Sequence, residues 1–143
     1  MQVFEQVPLA PYTTFGIGGP ARWFIEASTE DEVLRAVEFA RNQTAPLFVL
    51  GGGSNLLISD AGFPGVVLHI ALKGIEHQGL GCTTRFSVAA GEDWDAFVSL
   101  AVVQNCGGIE CLAGIPGSVG GTPVQNVGAY GQEVSETIRL VRA

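Results

Sequence analysis

Three consecutive glycines, Gly51-Gly52-Gly53, follow directly on the apolar run Pro46-Leu47-Phe48-Val49-Leu50, and the chain then returns to apolar residues in "NLLIS". Glycine has no Cβ, so a cluster after a strand-like run is where backbone N–H groups can close around a phosphate. A tight turn of no chemical consequence is the alternative, and the loop alone leaves both open. Twenty of the 143 residues are glycine, about twice the ordinary share. They gather at 51–53, 79–81 and 107–131 with no collagen-like period. A chain with such clusters is expected to fold around structured loops.

Alternation and periodicity supply the framework for those loops. "ARWFIEA" (21–27) sets Trp23 and Ile25 against Phe24 and Glu26, as a strand does. Thr29 followed by Glu32 forms a capping box, and Val33, Leu34, Val37 and Ala40 mark the buried face of a helix that Pro46 ends. "LFVL" and "GVVLHI" (65–70) read as strands around the turn 60–65, and "NLLIS" as a short extended piece. Beyond the glycines at 79–81, "RFSVAAG" (85–91) reads as a strand. Glu92 and Asp93 suit a helix N-terminus, Trp94, Phe97, Val98, Ala101 and Val102 form its apolar face, and Gly107 stops it. The stretch 107–131 is mostly loop, and "TIRLVRA" alternates like the start of another strand. A chain of this size that is 47% hydrophobic can bury a core.

Composition narrows the function classes. The net charge is −7, with seven basic residues scattered among fourteen acidic ones, which gives no footprint for nucleic acid or an anionic membrane. No apolar run is long enough to span a bilayer, and the N-terminus lacks the pattern of a secretory signal, so a cytoplasmic protein is expected. Cys82, Cys106 and Cys111 match no C-x-x-C spacing and are read as reduced thiols, and no metal site is expected. His69 and His77 are read as packing or surface residues rather than ligands.

The glycine triple fails the two best-known phosphate fingerprints. G-x-G-x-x-G requires glycine where Leu56 stands, and the nucleotide-triphosphate loop requires Gly-Lys-Ser/Thr, whereas the one lysine is Lys73. What remains is a nest of N–H donors, suited to a pyrophosphate, with Ser54 and Asn55 adding side-chain donors. A second loop, "AGIPGSVGGTPVQNVGAYG", flanks Gln125 and Asn126 with glycines and adds Ser118 and Thr122. Its backbone can come close to a planar ring with polar edges. An Ω-type loop without function is the alternative, although so long an irregular segment is usually functional.

Four motifs, "TFGIGGPA" (14–21), "LGGGSNLL" (50–57), "LAGIPGSVGG" (112–121) and "QNVGAYGQEV" (125–134), resemble the UDP-N-acetylenolpyruvoylglucosamine reductase family, also called UDP-N-acetylmuramate dehydrogenase, and its first type in particular. The resemblance spans nearly the whole chain. It implies an α+β fold of the vanillyl-alcohol oxidase type, with two small α+β subdomains, 1–72 and 73–143, clasping the flavin. It implies non-covalent FAD, NADPH as reductant, and reduction of UDP-N-acetylenolpyruvoylglucosamine to UDP-N-acetylmuramate in peptidoglycan synthesis. Carried over by position, Gly51, Gly52, Gly53, Ser54 and Asn55 hold the pyrophosphate, and Leu56 is a further cofactor-binding residue. Ile115, Pro116, Gly117, Ser118, Gly120, Gly121, Gln125, Asn126, Gly128, Ala129 and Tyr130 line the remainder of the flavin site. Gly52→Val is expected to exclude left-handed dihedrals and fill the phosphate space.

The family usually has asparagine before "TF", where this chain has Thr13. Its Gly-Tyr-Arg-x-Ser motif, serine proton donor and C-terminal glutamate belong to a downstream region, so no catalytic residue is assigned and the 143-residue chain alone is expected to be inactive and monomeric. The substrate domain is likewise expected to be missing, with the chain cut at Ala143. Another flavin oxidoreductase of the same fold, or a non-catalytic flavin-binding module, is the alternative.

Overall fold

The computed structural model describes residues 1–143, which divide into two compact units, Met1–Leu72 and Lys73–Ala143. The fold is a mixed α+β one.

In the first unit, strands β1 (Phe4–Pro8), β2 (Pro20–Ala27), β3 (Leu47–Leu50) and β4 (Phe63–Ile70) form one sheet in the order β1-β2-β4-β3. β1 is antiparallel to β2, whereas β2, β4 and β3 run parallel, with Ile25 beside Leu68 and Leu47 beside Val66. The central strands are buried on both faces, so Trp23, Phe24 and Ile25 are all interior and the expected inside–outside alternation of β2 is incomplete. One face, carrying Trp23, Ile25, Val66 and Leu68, packs on helix α1 (Glu30–Asn42) through Ala36 and Ala40. The other, carrying Phe24, Val67 and Leu50, is covered by Leu9, Tyr12, Leu56 and Ile58.

Helix α1 begins as its sequence indicates. Thr29 Oγ1 accepts from the Glu32 N–H at 3.2 Å, and Glu32 Oε2 accepts from the Ser28 N–H at 2.9 Å. The reciprocal half of the capping box thus lands one residue earlier than the standard motif places it. The buried face is rotated from the expected one: Val33 packs on the core beside Ala36, Phe39 and Ala40, while Leu34 is exposed. Small alanines let the helix lie close to the sheet, and Phe39 meets Trp23 edge to face at 5.8 Å between ring centres.

In the second unit, β5 (Ile75–Leu80) and β6 (Thr83–Val88) form an antiparallel hairpin. The polar, glycine-containing sequence of β5 hides a strand that its composition does not announce, and β6 ends before the expected Gly91. Helix α2 (Trp94–Val103) is capped by Asp93, whose side chain accepts from the Ala96 N–H at 2.8 Å. Trp94, Phe97, Val98 and Ala101 enter the core with Leu112, Ile109 and Val134, whereas Val102 is half exposed. The helix ends at Asn105, which takes the left-handed conformation two residues before Gly107. Beyond it come short turns, helix α3 (Thr122–Gln125) and the small hairpin of β7 (Gly128–Ala129) and β8 (Gln132–Glu133). "TIRLVRA" lies outside every strand, because alternation without a hydrogen-bonding partner does not make one.

Candidate functional site

Residues 51–62, between β3 and β4, form no strand, which corrects the reading of "NLLIS" as a short extended strand. Leu56 and Ile58 nevertheless turn inward onto Phe24 and Val67 while Leu57 faces out, so the loop is pinned by its apolar residues just past the glycines. Leu56 is thus an anchor of the loop rather than a polar contact.

Within the triple the glycines have different tasks. Gly53 alone is left-handed, with φ +66°, and it is buried against the Tyr12–Thr14 segment. Its carbonyl accepts from the Thr14 N–H at 3.1 Å, and a Cβ there would overlap the Tyr12 carbonyl oxygen. Gly51 and Gly52 have no positive φ, so the dihedral preference expected to exclude a side chain at 52 does not apply, and a side chain there would enter the space the two glycines border. Neither Gly51 nor Gly52 donates its N–H to another backbone carbonyl.

Those two glycines line an open cavity of about 360 Å³ together with Pro11, Tyr12, Thr13, Thr14 and His69. Thr13 is buried and its Oγ1 sits 2.9 Å from the Ile17 carbonyl and 3.2 Å from that of Ala10, which closes the turn that carries Tyr12 and Thr14. Gly19 supports that turn from below: its carbonyl accepts from Leu9 and its N–H donates to Ser59 at 2.9 Å. A Cβ on Gly19 would overlap the Asp60 carbonyl. The glycines of "TFGIGGPA" therefore serve backbone contact. Sequence reasoning passed over Pro11, Tyr12, Thr13, Thr14 and His69. The available signal was the recognised motif "TFGIGGPA", which begins at Thr14.

His69 stands on β4, opposite Glu26 of β2 and Leu50 of β3. Its Nδ1 lies 3.1 Å from Glu26 Oε2, and the Tyr12 ring meets the imidazole edge-on at 5.4 Å.

In the second unit, the segment around Ser118 is laced to the residues that precede α2. Trp94 donates to the Gly117 carbonyl at 3.1 Å, Val119 to Glu92 at 2.9 Å and Gly120 to Ala90 at 2.8 Å. Gly120 is needed for that approach, since a Cβ would overlap the Ala90 side chain. Ser118 is buried, Ile115 and Ala129 pack on the core, and Pro116 is exposed. Gly121 has room around it, whereas Gly128 lies tightly against Gln132 and Glu133.

Asn126 ends α3 in the left-handed conformation, φ +44°, and its side chain serves its own loop. Nδ2 donates to Glu133 Oε2 at 2.7 Å and Oδ1 accepts from the Ser135 N–H at 3.2 Å. Gln125 beside it is exposed. Tyr130 and Gly131, at φ +52° and +83°, form the two-residue turn between β7 and β8, the pattern of a type I′ hairpin. That turn holds the Tyr130 ring almost wholly in solvent, 94% exposed.

The carboxylates near this loop are structural. Glu110 is held below the ordinary carboxylate range of 4.5 by its own backbone N–H and that of Gly108, helped by the Gln132 side chain at 3.0 Å. Gln132 Oε1 in turn accepts from the Cys111 N–H at 3.0 Å. Glu110 is therefore ionised near neutrality and is no proton donor. The three cysteines are free thiols, and no group of histidine, cysteine and carboxylate side chains is arranged to hold a metal.

Residues 21–142 match the family described as FAD binding domain. The UDP-N-acetylenolpyruvoylglucosamine reductase of Streptomyces coelicolor is 52% identical over 143 residues, all of this chain and 36% of its own length. That of Mycobacterium avium is 44% identical over 145 residues, covering 98% of this chain and 38% of its own. The crystal structure of the enzyme of the same name from Thermus caldophilus superposes with a TM-score of 0.74 at 37% identity, over 94% of this chain and 46% of that one. The chain thus spans little more than a third of the length of the curated relatives it matches.

Proposed function

We propose, from the premise that this chain belongs to the FAD binding domain family, that it is the flavin-holding portion of a UDP-N-acetylenolpyruvoylglucosamine reductase. The observation that carries this reading is the cavity beside Gly51 and Gly52: two glycines with no Cβ in the way, whose N–H groups make no backbone hydrogen bond, with Thr13 and Thr14 also in the lining. These residues fit a diphosphate, which needs several donors at close range and tolerates no intervening side chain.

In this reading the N–H groups of Gly51 to Asn55 hold the pyrophosphate of non-covalent FAD, with Ser54 and Asn55 supplying side-chain donors. Gly53 keeps the loop in register against Thr14, and Leu56 ties its far end to the sheet. The stretch 115–130 supplies the remaining contacts, with Ser118, Gln125 and Tyr130 as its polar and aromatic groups and Asn126 shaping the loop. The bound flavin would supply hydride transfer from NADPH to the enolpyruvyl ether, giving UDP-N-acetylmuramate for peptidoglycan synthesis. The residues of this chain bind and orient; none is assigned to move a proton, and Glu110 and Glu133 are taken up by structural hydrogen bonds. On this reading the parent protein works in the cytoplasm, where a UDP-sugar substrate and NADPH would be met.

The test is a titration of the purified chain with FAD followed by flavin fluorescence. The reading requires saturable binding of one FAD per chain, with the flavin released unchanged on acid denaturation. Absence of saturable binding overturns it, and a flavin that stays attached after denaturation overturns the non-covalent assignment.

A further inference from the structure

The geometry points to His69 as a further cofactor-binding residue: held by Glu26, it takes up a proton when the diphosphate enters the cavity and then donates from Nε2 to a phosphate oxygen. This rests on the reading of the cavity as a diphosphate site and adds a charge partner and a regulatory property to it.

A diphosphate in this protein faces a net charge of −7, and its binding calls for a local cation. No lysine or arginine lines the cavity; of Pro11, Tyr12, Thr13, Thr14, Gly51, Gly52 and His69, only the histidine can become positive. The groups around it are Glu26 on β2, Leu50 on β3 and the rings of Tyr12 and Phe24. Glu26 is the one charged group among them. Its carboxylate fixes the tautomer, because Nδ1 must carry a hydrogen to bond with it at 3.1 Å.

The consequence follows from imidazole chemistry. With Nδ1–H pointed at Glu26, a neutral ring offers only a lone pair at Nε2, which repels a phosphate oxygen. The imidazolium offers an N–H there instead. A bound anion beside Nε2 favours the imidazolium over the neutral ring, so diphosphate binding and proton binding reinforce each other. The proton comes from solvent and rests on Nε2. The diphosphate of FAD is esterified at both ends and has no proton to exchange near neutrality, so any proton taken up on binding is the protein's.

The experiment is calorimetry of FAD binding to the full chain near pH 7 in two non-phosphate buffers of different ionisation enthalpy, which counts protons, with affinities measured at about pH 6 and about pH 8.5. The wild type is expected to take up a fraction of a proton per FAD and to bind about tenfold more tightly at the lower pH. His69→Gln should abolish the uptake and flatten the pH dependence. His69→Arg should also abolish uptake while keeping tight binding at both pH values, which shows that charge and not mere packing is at work. Riboflavin, which has no phosphate, should bind without proton uptake in every variant. Tight FAD binding with no proton uptake, or equal affinity of wild type and His69→Gln near pH 6, overturns this inference and leaves the diphosphate reading standing. Failure of the wild type to bind FAD at either pH overturns both.

Discussion

The Gly53 carbonyl accepts a hydrogen bond from the Thr14 N–H at 3.1 Å, and this contact makes the third glycine of the triple a packing residue while leaving the first two to face the cavity. The two tasks are separable by mutation. Gly53→Ala puts a Cβ into the Tyr12 carbonyl at a left-handed φ, and the loss of stability should be about 3 kcal/mol or more, read from chemical denaturation. Gly52→Val should leave the melting temperature within a few degrees of wild type yet weaken FAD binding at least tenfold. Unimpaired FAD binding by folded Gly52→Val would remove the glycine loop from the site.

Asn126 is expected to behave as a structural residue. Asn126→Leu removes the bonds to Glu133 and Ser135 and puts a branched side chain at φ +44°. A stability loss of about 2 kcal/mol follows. Asn126→Gly keeps the left-handed backbone and should recover part of it. Any change in flavin affinity should scale with the stability loss across the two variants; an affinity loss in Asn126→Gly with no thermal shift would instead place the amide against the flavin.

Two carboxylates are expected to contribute to the acid limit of stability. Glu32 is lowered by the Ser28 N–H and by the Met1 ammonium at 3.2 Å, and Glu110 by its own N–H and that of Gly108. A depressed folded value means the unfolded chain binds the proton first, so their contribution is fully present above the ordinary 4.5 and is lost as pH falls through the lower folded values. Melting temperatures recorded between about pH 7 and pH 3 should fall below the ordinary carboxylate value. Glu32→Gln and Glu110→Gln should each make that fall shallower, and an unchanged profile in both would show that other carboxylates govern it.

The chain by itself should not turn over. With FAD bound, NADPH and UDP-N-acetylenolpyruvoylglucosamine supplied together, no substrate-dependent oxidation of NADPH is expected, because no residue of this chain is placed to protonate the product. Turnover at an enzyme-like rate would reveal a proton donor within residues 1–143.

The strength of each local signal in the sequence decided how legible it was. Strand β2, the Thr29 cap and the Trp94 face of α2 each combine periodicity with a boundary residue, and each lies where that combination indicates. Strand β5 was hidden because Glu76, His77, Gln78 and Gly79 have neither apolar alternation nor strong strand propensity; pairing with β6 makes it a strand. The helix face differs from expectation at Leu34 because the sheet packs on the stripe Val33, Ala36, Phe39 and Ala40, and Leu34 lies two residues from Ala36, about 200° around the helix and so on the opposite side. Of the cavity lining, Gly51 and Gly52 were visible in the motif. Tyr12, Thr13 and Thr14 reach it only through a turn held by Gly53 and Gly19, and His69 only through its parallel-strand register with Glu26, and neither relation is local in sequence.

That distance has a kinetic side. Glu26 and His69 are 43 residues apart and meet only once β4 has docked in parallel beside β2. Contacts that close such long loops form late and slow a domain's folding. The cavity is therefore expected to be completed only after β2 and β4 have paired. A flavin nucleotide that recognises it cannot guide the early collapse; it can only capture molecules that have already completed the sheet, so added FAD should slow unfolding without hastening refolding.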